Sequence, residues 1–401
     1  MGPMPEPVRD NARVDLVGAM FYGVFFTGSL AFLPVILRRL GASADQLALY
    51  VIFTYVGQLL SPLSVALVRR RDPLRFSVLC WALARASLVL GAVIADAWWL
   101  LALAALYWVL EMLPAPAYAG IVQQIYPARY RGRAMSGVRV GMVVVVLATT
   151  PLAGWLLDQL GHQALLPVAA LFGVLSSLTF GRVRVPAADP PDAAPRAPDA
   201  EPDARPAAQR RGVLDLIRSN RPFAIYLAAM TVYGLGGVMA LPLYPVVQVT
   251  RLGLSYTEIG VLGLAQSATW LLGFLYWGRL LDRRGAVWVL RVNMGLAALV
   301  PLTYIFAGNA WALLPAFLAQ GLIQGGFELG VTNTAIGLAE RGRVMEYTAL
   351  QTAVIGLRGM AAPLIGAALL GAGTPDTTVF GLSVALVLAG WVMMGYIRSD
   401  R

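Results

Sequence analysis

Four charged side chains stand inside long apolar runs: Arg85, Glu111, Glu328 and Arg358. An ion held in hydrocarbon costs about 3 kcal/mol or more, so charges in such places are functional candidates. Burial favours a neutral carboxyl, and a nearby guanidinium favours the carboxylate. An acid whose arginine partner is gained or lost as a path opens to either side would therefore take up and release a proton in step with that opening. Glu111 follows Arg85 by one apolar run, and Arg358 follows Glu328 in the same way. At 1.5 Å per residue the second couple lies within about 7 Å in depth. Two readings stay open for both couples: a proton-coupling site, or a structural pair in which each charge neutralises the other.

Gln320, Gln324 and Glu328 recur every fourth residue, which puts them on one helix face. Tyr107, Glu111 and Tyr118, spaced 4 and 7 apart, also share one face one repeat earlier, and Tyr22, Tyr233 and Tyr244 are lesser candidates. Aromatic rings beside an acid suit an amphiphilic or cationic ligand through cation–π attraction. The competing reading is that each tyrosine simply packs or anchors its helix.

These residues need helices that cross a bilayer. The chain of 401 residues is 58% hydrophobic and 13% charged, far below the charged fraction of a soluble domain. Apolar runs of roughly 20 residues predict twelve spans, near 15–37, 46–68, 75–95, 98–124, 134–157 and 163–181, then 222–248, 257–281, 286–307, 310–335, 346–371 and 376–397. The basic residues, all arginine, lie at span ends rather than on one face, which argues against a nucleic-acid partner. The single cysteine and single histidine leave no cysteine framework, histidine-based metal site or catalytic triad. No nucleotide-binding G-x-x-x-x-G-K-[ST] motif occurs, so an ion or solute gradient must supply any energy.

The chain also reads twice. Arg39-Leu40-Gly41 returns as Arg251-Leu252-Gly253, and Pro151-Leu152-Ala153-Gly154 as Pro363-Leu364-Ile365-Gly366, each 212 residues on. A same-sense duplication of membrane helices is the parallel-repeat plan of a secondary transporter. It predicts an N-terminal six-helix bundle over 1–185, a polar linker over 186–221 rich in Pro, Ala, Asp and Arg, and a C-terminal bundle over 222–401. Arg69, Arg70, Arg71, Arg131, Arg133, Arg283, Arg284, Arg341 and Arg343 fall on one side of the membrane. Only Arg38, Arg39 and Arg251 fall in the loops of the other. The positive-inside rule then places both termini and the linker in the cytoplasm of a bacterial inner-membrane protein.

Between spans 8 and 9, Gly278-Arg279-Leu280-Leu281-Asp282-Arg283-Arg284-Gly285 fits the G-x-x-x-D-R-x-G loop of the major facilitator superfamily, which the chain resembles over nearly its whole length. That resemblance implies an all-α membrane fold with two six-helix bundles related by a pseudo-two-fold axis, and a central path lined by helices 1, 4, 7 and 10. In the loop, Gly278 would allow a close helix approach. Asp282 would accept from a helix N-terminus, and Gly285 would permit a positive φ. The matching first-half loop departs, with Ala66, Arg70 and Pro73 at the corresponding positions. A cytoplasmic latch with exchanged charges is expected, Arg70 facing Glu346 and Asp282 facing Arg133, unless all four face water. Gly137, Pro151 and Gly154 partly match the antiporter helix-5 pattern, which Val146, Thr150 and Trp155 break; close packing accounts for them equally. Glu111 stands where many exchangers of the family carry arginine.

The expectation is a monomeric, proton-coupled efflux transporter of an amphiphilic small molecule, without cofactor, metal or enzymatic activity. Uptake, facilitated diffusion, lipid flipping and a non-transporting receptor or scaffold are the alternatives on the same fold.

Overall fold

A computed structural model describes residues 4–59, 67–68, 71–186, 217–340 and 343–397. Each predicted span holds a helix. The twelve are α1 (Glu6–Arg39), α2 (Ala44–Leu59), α3 (Pro73–Ala92), α4 (Ala97–Ile125), α5 (Ala128–Leu160), α6 (His162–Phe180), α7 (Arg221–Arg251), α8 (Tyr256–Arg284), α9 (Ala286–Phe306), α10 (Leu314–Leu338), α11 (Val344–Gly371) and α12 (Asp376–Met394). Among the described residues nine helices are long and apolar enough to cross a membrane, and up to ten if the bent α8 is one span. The described part of α2 is short, and α10 carries Gln320, Gln324, Glu328 and Asn333 along its length. Arg69, Arg70, Arg341 and nearly all of the linker lie outside the described residues. Just before α7, residues 217–219 are helical.

Local chemistry sets the boundaries. Asp72 caps α3 by accepting from the Leu74 and Arg75 amides, with Pro73 in the first turn, where its missing N–H costs nothing. Asp96 caps α4 in the same way, and Ser255 with Glu258 forms a reciprocal capping box at α8. α1 breaks after Gly28 and α7 after Met239, so both restart as short outer segments. The side of the molecule bearing these segments is called the outer end here, after the arginine bias.

Packing repeats with a step of six helices. α1 packs on α5 and α6, as α7 packs on α11 and α12. α2 meets α4 as α8 meets α10, and α3 meets α6 as α9 meets α12. Across the molecule, α2 lies on α11 and α5 on α8, a reciprocal pair under the same exchange. Backbone conformation follows the duplication too. Gly41 and Gly253 both hold positive φ, 88° and 60°, and so do Gly161 and Gly373, 75° and 84°. Both couples are 212 residues apart, and each glycine ends a helix where a side chain would be strained.

Large apolar side chains face outward: Leu83, Leu171 and Leu357 are each more than half exposed. That is the reverse of a soluble surface and suits contact with lipid tails. Trp99 and Trp311, again 212 apart, are 71% and 67% exposed at the outer ends of α4 and α10, the position of an interfacial aromatic belt.

Candidate functional site

In the first half, Arg85 and Glu111 form a bidentate ion pair. Arg85 Nη2 donates to Glu111 Oε1 at 2.8 Å and Nε to Oε2 at 3.2 Å. The remaining nitrogen donates to Ser177 Oγ, Ser176 Oγ and the Gly173 carbonyl at 3.0, 3.1 and 3.3 Å. The guanidinium carbon sits 4.9 Å from the Tyr22 ring centre and 5.6 Å from that of Trp81. Both charged side chains are under a tenth exposed and fully partnered, so this couple is a closed unit. Tyr107 and Tyr118, expected beside the path, pack instead in the first-half core. Tyr107 lies against Phe25 and Trp108, and Tyr118 against Trp81 and Phe180.

The expected second couple does not form. Glu328 binds Arg139 on α5, with oxygen–nitrogen distances of 2.9 and 3.4 Å, across the gap between the halves. Its side chain is 68% exposed, not buried, because the Gln320–Gln324–Glu328 face of α10 turns toward the open inner part of that gap. Arg358 points the other way, onto α7. Its guanidinium occupies the space left by Gly234, where a Cβ would meet Cζ at 2.1 Å. Arg358 is 7% exposed, its Nε and Nη1 have no hydrogen-bond partner, and it interacts electrostatically with Tyr55, Tyr233 and Tyr226. Tyr233 stacks on Phe327 at 5.6 Å.

Between the halves and below the outer end lies a cavity of about 330 Å³, within the small-molecule range. α1, α2 and α5 wall it from one half, and α7, α8, α9 and α10 from the other. Of the sequence candidates it takes Gln320, Gln324 and Tyr244. It also takes residues that the sequence reading passed over: Gln248, Gln266, Tyr50, Trp270 and Tyr304. Their signal was available, since Gln266 interrupts an apolar run and Trp270 stands one turn later on the same face. Asp15 was missed as well; it is 7% exposed and accepts from the Tyr126 hydroxyl at 2.9 Å.

Contacts between the halves close the outer end over this cavity. Arg38 on α1 donates to Thr250 Oγ1 on α7 at 2.9 and 3.0 Å. Arg39 donates to the Leu254 carbonyl at 2.6 Å and covers the Tyr256 ring, 3.7 Å from its centre. Asp158, at the end of α5, accepts from the Tyr256 and Thr257 amides at 3.0 and 2.7 Å and from the Thr257 hydroxyl at 2.6 Å. A carboxylate from one half thus caps the positive N-terminus of a helix from the other. Beneath it, Gly154 touches the backbone of α8: a Cβ there would lie 2.4 Å from the Tyr256 carbonyl oxygen.

The family model for the Major Facilitator Superfamily matches residues 16–251 and 226–401. The chain belongs to that superfamily. As a superfamily member it is a membrane transporter and not an enzyme. No curated protein matches it in sequence. Among solved structures it is similar to an aspartate-to-alanine mutant of the nucleoside transporter NupG, with TM-score 0.69 and 11% identity over 97% of this chain and 100% of that one. It is similar to a bacterial homologue of the iron transporter ferroportin in an inward-facing state, with TM-score 0.68 and 16% identity over 98% and 99%. It is also similar to a bacterial metal transporter, with TM-score 0.67 and 16% identity over 100% of both chains. At these identities the likeness is one of fold.

The superfamily loop between α8 and α9 is only partly arranged as expected. Gly285 has φ 81°, the turn that its position demands. Gly278 makes no close approach, since a Cβ there would meet nothing within 4 Å; the tight glycines of α8 are Gly260, Gly263 and Gly273. Asp282, Arg283 and Arg133 are exposed, and among the described residues Asp282 has no ion pair or hydrogen bond. Glu346 pairs with Arg343 at 2.6 Å, and Arg70 lies outside the described residues. The Asp282–Arg133 half of the latch is therefore not formed among the described residues, and the Arg70 half lies outside them. Pro73 stands where Gly285 stands in the second half and cannot take a positive φ, so the first half turns with the Asp72 cap instead.

Proposed function

We propose that this superfamily member is a proton-coupled secondary transporter that exports an amphiphilic small molecule by alternating access. The observation that carries this reading is a cavity walled by both halves and closed at one end by contacts between them. In the proposal, residues 1–185 and 222–401 rock about that cavity as two units joined by 186–221. Both termini face the cytoplasm across a bacterial inner membrane, and the unit of function is the monomer.

Glu328 is the proposed coupling acid, with a partner different from the one expected. Its pair with Arg139 joins α10 to α5 across the inner half of the path, in a position that water reaches. Adding a proton removes the charge that holds Arg139 and loosens the link between the halves. Losing the proton restores it. Arg85 and Glu111 are assigned a holding role, because every strong donor and acceptor in that couple is already engaged.

The test is flux in proteoliposomes against a solute panel, with and without an imposed pH gradient. Gradient-driven movement out of the compartment that models the cytoplasm is expected. Movement at equal rate without a gradient would reduce the protein to a facilitator, and no movement of any solute would favour a receptor or scaffold.

A further inference from the structure

The cavity has a chemical character that narrows what it can hold. None of its lining residues is Asp, Glu, Arg or His. Bringing a charged solute into such a space removes its hydration without supplying a counter-ion, which is unfavourable by several kcal/mol. The charges beside it are already paired: Glu328, one turn inward of Gln324, with Arg139, and Arg251, which donates to the Tyr304 carbonyl, with Asp376; none of the four lines the cavity.

What the cavity offers instead is amide chemistry. Gln248, Gln266, Gln320 and Gln324 come from α7, α8 and α10. The Gln248 amide donates to the Tyr304 hydroxyl at 2.6 Å, which fixes both groups. The side-chain amides of Gln266, Gln320 and Gln324 have no hydrogen-bond partner among the described residues, so two donors and one carbonyl acceptor are open on each. The Trp270 indole N–H is buried in the same wall and also lacks a partner. By contrast, the hydroxyls of Thr54, Thr150 and Ser267 donate to carbonyls of their own helices. The open amides and the indole N–H therefore sit on the second half.

The same walls also supply flat faces. Tyr244, Tyr304 and Phe380 form a mutual aromatic cluster with ring centres 4.5, 5.6 and 5.7 Å apart, Phe380 lying nearly parallel to Tyr244 at 9°. A ring held by its neighbours in this way loses little freedom when a second ring covers it. Phe32 and Phe317 line the same space.

We infer that the transported solute is an uncharged, ring-bearing molecule whose edge carries hydroxyl or amide groups. The ring lies against the aromatic wall, and the edge groups pair with Gln266, Gln320, Gln324 and Trp270. This rests on the transport reading above and replaces a cationic ligand with a neutral one.

Purified full-length protein is tested by ligand-induced thermal stabilisation with four probes: uridine and nicotinamide as uncharged ring compounds, tetraphenylphosphonium as a cation, and benzoate as an anion. Stabilisation by an uncharged probe and by neither ion is expected. Gln266→Leu, Gln320→Leu and Gln324→Leu should each weaken that binding by about 2- to 10-fold, one hydrogen bond's worth. Unliganded melting of each variant checks that it folds. Stabilisation by tetraphenylphosphonium or benzoate, by no probe, or by an uncharged probe with all three variants unaffected would overturn the inference. Thiol accessibility of single cysteines at position 38, at the outer end, and position 333, on the inner part of α10, which needs no ligand, reports separately whether the two ends open in alternation. If they alternate while the probe result is negative, only the solute class is wrong. If neither site ever changes, the transport reading itself fails.

Discussion

At the scale of single residues, two buried arginines in similar settings have opposite energetics. Arg85 has an acid and three further oxygens, whereas Arg358 has two buried nitrogens without partners. Removing one member of a satisfied buried pair leaves an uncompensated charge, at a cost of roughly 3–5 kcal/mol. Arg85→Met should therefore lower the apparent melting temperature in detergent sharply, and adding Glu111→Leu should restore part of the loss. Arg358→Met should leave stability unchanged or raise it. A large loss for Arg358→Met would mean that the buried guanidinium has a partner in another conformation. Glu328→Gln imitates the protonated acid. It should abolish accumulation driven by a pH gradient while sparing exchange at equal pH, and unaltered gradient-driven transport would exclude Glu328 as the coupling acid. The sequence supplied the identity of every buried charge on this list except Asp15, which lies at the margin of the first apolar run. It did not supply their partners. Depth along a helix can be counted from residue numbers, but helix rotation decides whether Glu328 looks at Arg358 or Arg139, and rotation is set by packing.

Helices were the most legible scale. Apolar runs located all twelve, because a chain in hydrocarbon must satisfy its backbone within each segment. Their breaks at Gly28 and Met239 were not read, since a break near one end leaves the hydrophobic signal almost intact. The repeated Pro-x-x-Gly element shows why duplicated sequence need not mean duplicated contact. Gly154 packs across the halves on Tyr256, while Gly366 packs within its own half on Met239. Gly154→Ala should therefore disturb the outer seal, costing about 1–3 kcal/mol of overpacking in the closed form. The expected readout is raised thiol accessibility of a cysteine at position 38. Gly278→Ala, where a Cβ meets nothing, should leave that accessibility unchanged. Equal effects from the two substitutions would contradict the assignment of the tight contact to Gly154.

At the scale of the whole molecule, the duplication and its direction followed from spacing alone, whereas the cavity did not, because its walls come from seven helices spread along the chain. Closure of the outer end should be directly trappable. Cysteines at positions 38 and 250 should cross-link when that end is shut, and the cross-linked protein should not transport; full flux after complete cross-linking would show that this end never needs to open. The Arg38–Thr250 contact carries a further consequence. The two positions are related by the 212-residue step and yet touch each other. In a molecule with an approximate two-fold axis, only points on the axis meet their own counterparts. A dimer of two identical six-helix units would set position 38 against itself, arginine facing arginine or threonine facing threonine. Neither couple can make this donor–acceptor contact in the same way, and the first would repel. The seal on the axis therefore depends on the halves having become unlike, and Thr250→Arg, which restores likeness at that one point, should hold the outer end open.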